Sequence, residues 1–96
     1  MIKHFVCFKL TDDSREARLE AKKVLLSMEG KVPEIRSITV GTDVLRSERS
    51  YDVILSVLLD DMQALERYQE DKYHKGVVKE YMHAHTVSSI ALDCEV

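Results

Sequence analysis

The segment from Tyr51 to Leu59 is apolar at nearly every position, and Ser56 alone interrupts the run Val53 to Leu59. Successive residues of a strand point to opposite faces of its sheet, so both faces of this strand need cover. One layer of helices covers one face. Any fold for this chain has to supply the other cover too.

At 96 residues the chain is read as one domain, residues 1–96. A monomer of this size buries only about 60–65% of its unfolded surface. No repeat, linker or composition break divides it.

The periodicity predicts a first strand over Met1 to Leu10. Ile2, His4, Val6, Phe8 and Leu10 share one face, and Lys3, Phe5, Cys7 and Lys9 the other. Thr11-Asp12-Asp13-Ser14 offers helix caps, with Asp13 and Glu16 spaced as a capping box. A helix to about Glu29 follows, carrying Ala17, Ala21, Val24, Leu25 and Met28 at helical spacing and stopped by Gly30. Ile35 to Val40 is a short second strand, Gly41 to Ser50 a polar loop, and Tyr51 to Leu59 the third strand. Asp60-Asp61 caps a second helix to about Asp71, with Gln63 three residues after Asp60. Tyr73 to His83 reads as a further helix with a kink near Gly76, and Thr86 to Glu95 as a last strand.

That order, β-α-β-β-α-β, is the split βαβ, a ferredoxin-like α+β fold: four antiparallel strands with helices on one face. The uncovered face would carry Phe5, Cys7, Ile54 and Leu58. The same face of a second copy is the expected cover, giving a homodimer through the sheet face.

Composition removes several function classes. The net charge is −3 and the pI about 5.8, and no basic stripe with interleaved aromatics appears, so nucleic acid is not an expected partner. No apolar run approaches about 18 residues, so no membrane partner is expected either. The opening residues start a strand pattern and not a signal peptide, and the two cysteines, Cys7 and Cys94, form no disulfide framework. A cytoplasmic protein with reduced thiols is the expectation. There is no glycine-rich phosphate loop and no serine elbow, which removes most nucleotide-dependent chemistry.

The remaining candidates are His4, Tyr68 and His74. His4 lies on the face that packs on the helices, where the plain alternative is a core histidine bonded to a backbone carbonyl or hydroxyl. Tyr68 and His74 lie six positions apart across the end of the second helix. An imidazole can take a proton near neutral pH, and a phenol can bind a developing oxyanion. The alternative is a tyrosine anchoring the helix and a histidine capping one. His83 and His85 lack further ligands at metal-binding spacing, so they read as a surface pair near a helix C-terminus, and no metal is expected.

These residues resemble the stress-responsive dimeric alpha/beta barrel (Dabb) family. The opening Met-Ile-Lys-His-Phe-Val-Cys-Phe-Lys-Leu is similar to its first strand, with His4 at the family's histidine. Gly41-Thr42-Asp43-Val44 resembles the turn after its second strand, and Tyr51-Asp52-Val53-Ile54-Leu55 its third. Leu65-Glu66-Arg67-Tyr68-Gln69 with His74 resembles its tyrosine helix and following histidine, and Leu92-Asp93-Cys94-Glu95-Val96 its closing strand. The resemblance implies a homodimer with a shared barrel core and, in some plants, a stress association. One plant branch is a cofactor-free polyketide cyclase whose tyrosine and histidine resemble Tyr68 and His74. This chain departs from the pattern at Asp71-Lys72, where members often carry His-Pro, which is expected to loosen the turn and place a negative charge near His74. It departs again at Val24 and Leu25, where the plant enzyme has bulky aromatics.

The expectation is therefore a small apolar pocket between sheet and helices. His4, Tyr68 and His74 would serve as catalytic residues and Val6, Phe8, Leu55 and Val57 as the substrate-binding wall. A small organic molecule would be the ligand, and acid/base chemistry would proceed with no cofactor. In that reading His74 removes a proton alpha to a carbonyl and Tyr68 holds the oxyanion. Two other readings stand beside it: a binding or structural dimer without catalysis, and a cofactor-free monooxygenase or isomerase of the dimeric α/β barrel type.

Overall fold

The computed structural model describes residues 1–96. Four strands, β1 (Ile2–Leu10), β2 (Ser37–Thr42), β3 (Val53–Leu59) and β4 (Thr86–Glu95), form one antiparallel sheet in the order β2-β3-β1-β4. Helix α1 (Arg15–Leu26) follows β1, and α2 (Met62–Glu70) follows β3. A π-helical segment (His74–Lys79) then runs directly into α3 (Glu80–His85). The fold is the ferredoxin-like α+β arrangement.

The two inner strands bury alternate residues under the helices. Ile2, His4, Phe8 and Leu10 of β1 and Val53, Leu55, Val57 and Leu59 of β3 are buried. Ala21, Leu25, Ala64, Leu65 and Tyr68 meet them from α1 and α2. On the opposite face Phe5, Cys7, Ile54 and Leu58 are half-buried, and β4 adds Ile90 and Leu92, both exposed. The cross-strand pairs Phe5–Leu92 and Cys7–Ile90 join these into one apolar patch. No helix of this chain covers it.

Local signals were right in kind and shifted in detail. Ser14, not Asp13, caps α1: its hydroxyl accepts the Ala17 N–H at 3.2 Å. Asp12 instead accepts the Ser14 N–H at 3.0 Å. Four capping residues in a row leave the choice to packing, and the seating of Ala21 and Leu25 decides it. The α-helix closes at Leu26, and the chain turns through to Gly30 at φ 80°, the left-handed conformation that favours glycine. β2 begins two residues later than expected because Arg36 ties to the third-strand side, its N–H bonding Leu58 O at 2.9 Å and its guanidinium the Asp60 carboxylate at 2.7 and 2.8 Å. With Asp60 so engaged, Asp61 caps α2 through the Ala64 N–H at 2.8 Å. The kink expected near Gly76 is a stretch of wide π turns.

Candidate functional site

α1 lies over β2 and β3, and α2 over β3. β1 and β4 are left to the π-helical segment and α3, which do not close on them. Between them is a cavity of about 810 Å³. Small-molecule sites commonly measure about 300–1,000 Å³. Val6, Phe8, Leu25, Leu55, Val78 and Met82 supply its apolar wall. His4, His74, Lys79, His83 and Thr86 supply polar groups, and Thr86 to Ser89 of β4 border it along the sheet edge.

His4, Val6, Phe8, Leu55, Tyr68 and His74 all line this one space. Val57 does not. It is fully buried in the sheet between its cross-strand partners His4 and Ile38, where the helices pack closely, and so it is core and not wall.

His4 pairs with Asp93 across the β1–β4 ladder, and paired residues share a face. Its Nδ1 lies 2.5 Å from Asp93 Oδ1. A carboxylate can only accept, so Nδ1 carries a proton, and Nε2 is left without a protein partner. Sequence reasoning gave Asp93 no role and expected a carbonyl or hydroxyl at His4. The signal that finds it is the strand register, which one sequence does not display.

Tyr68 stands between the two imidazoles. Its ring stacks on His74 at 4.4 Å between centroids and meets His4 edge-on at 5.6 Å. The side chain is fully buried, and its hydroxyl donates to Met28 Sδ at 3.8 Å, in the turn after α1. Burial pushes the phenol well above its ordinary range, and Asp71 adds to that, so the hydroxyl keeps its proton. It is the Tyr68 ring that contacts the two histidines.

Asp71 builds the turn that carries His74. Its carboxylate accepts the N–H groups of Tyr73 at 2.9 Å and His74 at 3.1 Å, capping the chain where it re-enters a helix. The turn expected to be loose without proline is therefore pinned by the aspartate in its place. Burial pushes the His74 pKa down; Lys79 and His4 add to this, while the Gln69 backbone and Asp71 oppose it. A neutral imidazole at pH 7 is competent as a base. His74 Nδ1 and Thr86 Oγ1 are both buried without a hydrogen-bond partner.

Of the two histidines expected as a surface pair, both are exposed, but His83 borders this cavity and His85 does not. His85 Nδ1 bonds Tyr81 O at 2.8 Å, and its ring stacks on Tyr81 at 4.1 Å. No group of three or more His, Cys, Asp or Glu is placed to hold a metal. Cys7 and Cys94 are free thiols on the uncovered face. No helix is long and apolar enough to cross a membrane.

The model of the stress responsive A/B barrel domain (Dabb) matches residues 2–96. No curated protein matches the sequence. Among solved structures, a dimeric, ferredoxin-like protein of unknown function from Bacteroides fragilis is 25% identical, with a TM-score of 0.82 over 99% of this chain and 95% of that one. An Arabidopsis thaliana protein superposes with a TM-score of 0.85 at 16% identity, over 100% of this chain and 95% of its own. An antibiotic biosynthesis monooxygenase does so with a TM-score of 0.75 at 12% identity, covering 100% and 98%. The last two likenesses speak to the fold alone.

Proposed function

Since the chain belongs to the stress responsive A/B barrel domain (Dabb) family, we propose that it acts as a homodimer whose cavity binds a small organic molecule and catalyses cofactor-free acid/base chemistry on it. Two imidazoles converge on one cavity with an apolar wall, His4 oriented by Asp93 and His74 held neutral by burial, and this carries the reading. The homodimer reading is supported by the apolar patch of Phe5, Ile54, Ile90 and Leu92 and by the Bacteroides fragilis relative, which is dimeric.

The chemistry follows from the placement. A carbonyl compound seated in the cavity loses a proton from its alpha carbon to the unshared pair of His74 or His4, forming an enolate. The enolate oxygen then needs a donor. Tyr68 can serve only if its hydroxyl leaves Met28 Sδ, a weak acceptor that holds it lightly.

The test is deuterium exchange at the alpha carbon of aryl methyl ketones in D2O, followed by proton NMR with no added cofactor. Saturable exchange that is lost in His74→Ala supports the reading. Ketones that bind without exchanging leave a non-catalytic binding dimer, the reading that the Tyr68 hydroxyl, spent on Met28, favours.

A further inference from the structure

The π-helical segment does more than bend the chain. In an α-helix, residues five apart diverge by roughly 140° around the axis. A π turn closes on the fifth residue and returns the two to one face. His74 and Lys79 are five apart and stand at the ends of this segment, and both line the cavity. The wide turns thus carry the Lys79 ammonium onto the face that presents His74. The two lysines of the segment differ in a telling way. Lys75 is paired with Glu70 at 3.0 Å, whereas Lys79 enters none of the chain's ion pairs. Lys79 is therefore the one cavity-lining lysine outside the ion pairs, in a space it shares with His74, with Glu70 already paired to Lys75, and with the apolar side chains of Val6, Phe8, Leu25 and Leu55.

We propose that the cavity selects amphiphilic carboxylic acids, the apolar body against Phe8 and Leu55 and the carboxylate on the Lys79 ammonium. This rests on the small-molecule reading of the same cavity and names its ligand class. The carboxylate fixes the ligand's orientation, so that the carbons next to its polar end come under His74. A charge-assisted contact strengthens binding more than a neutral hydrogen bond does.

The test compares 6-phenylhexanoate with 6-phenylhexanamide, which matches it in shape and lacks the charge, by calorimetry against the wild-type protein and Lys79→Met. Lys79 is exposed, so the variant retains the fold. The acid is expected to bind the wild type about threefold to fivefold tighter than the amide, the size of an exposed ion pair. In Lys79→Met the acid weakens to the level of the amide, and the amide is unchanged. Equal binding of acid and amide to the wild type overturns the carboxylate selection and leaves the small-molecule reading intact. A preference for acid that survives in Lys79→Met overturns the assignment to Lys79. Failure of both compounds to bind at millimolar concentration overturns the small-molecule reading and this inference with it.

Discussion

His4 and Asp93 stand opposite one another across the β1–β4 ladder, with Nδ1 and Oδ1 2.5 Å apart. One partner is buried on an inner strand, and the other is half open on the edge strand. The pair fastens the edge strand to the cavity wall and fixes which nitrogen of His4 carries the proton. Asp93→Asn keeps the size and loses the charge. It is expected to cost about 1 kcal/mol, the usual value of a charge-assisted bond reduced for the exposure of Asp93. It should also mix the two tautomers of His4. Urea unfolding reads the first and nitrogen NMR of the imidazole the second; a single unchanged tautomer would show that the carboxylate does not set it.

Tyr68 separates ring from hydroxyl. Tyr68→Phe removes only a contact to a thioether and should change stability by less than about 1 kcal/mol. Tyr68→Ala opens a hole between the two histidines and should cost about 3–5 kcal/mol. If Tyr68→Phe abolishes alpha-proton exchange while its unfolding midpoint stays put, the hydroxyl must swing away from Met28 during the reaction.

The depressed pKa of His74 fixes a sign. Its ordinary value is 6.5 and the folded value is lower, so the unfolded chain takes up this proton first as the solution is acidified. The contribution is complete above pH 6.5 and is lost as pH falls below it. The difference in unfolding free energy between the wild type and His74→Gln should therefore shrink between neutrality and pH 5, measured by urea titration at each pH. A difference that stays flat would mean that His74 is as readily protonated in the fold as out of it.

Asp52 is a buried carboxylate tying three segments. It accepts the Leu10 N–H at 2.7 Å and the Arg46 guanidinium at 2.8 Å, and its own N–H donates to Phe8 O at 2.8 Å. Arg46 is held at a φ of 56°, uncommon for a residue with a side chain, which is consistent with a loop folded around this contact. Asp52→Ala strands a buried N–H and frees the arginine, and is expected to cost about 3 kcal/mol by thermal unfolding.

The homodimer is tested at the centre of the uncovered face. Ile54→Glu places a charge in the apolar patch without touching the cavity side of β3. Light scattering behind a sizing column should give a dimer for the wild type and a monomer for the variant. A wild-type monomer would overturn the homodimer, and a variant still dimeric would place the contact elsewhere.

The element order was legible because each signal is local. Alternation marks β1, and the two-sided apolar run marks β3. The capping aspartates and serine mark both helix starts to within a residue. The cavity was half legible: six of its expected residues converge because the face of β1 and the Tyr68 helix can be read from spacing alone. Asp93 was not, because its meaning depends on which residue of β1 it faces, a register set by the whole sheet. Val57 went astray for the same kind of reason. Alternation gives its face correctly, but only the lateral position of the helices tells wall from core. The direction of the Tyr68 hydroxyl depends on Met28, forty positions away in the chain.

The wide turns between His74 and Lys79 also amount to a phase setting. Every residue from Glu80 to His85 takes its angular position from the extra residue those turns absorb. Deleting a single residue between Gly76 and Val78 would let ordinary α geometry return and rotate α3 by about a quarter turn relative to the sheet. The side chains that α3 turns toward the cavity would change, and the shift would reach Thr86, where β4 begins directly after α3. A one-codon change in this stretch thus offers a short route from one ligand preference to another, a kind of variation that point substitution in a rigid wall cannot supply.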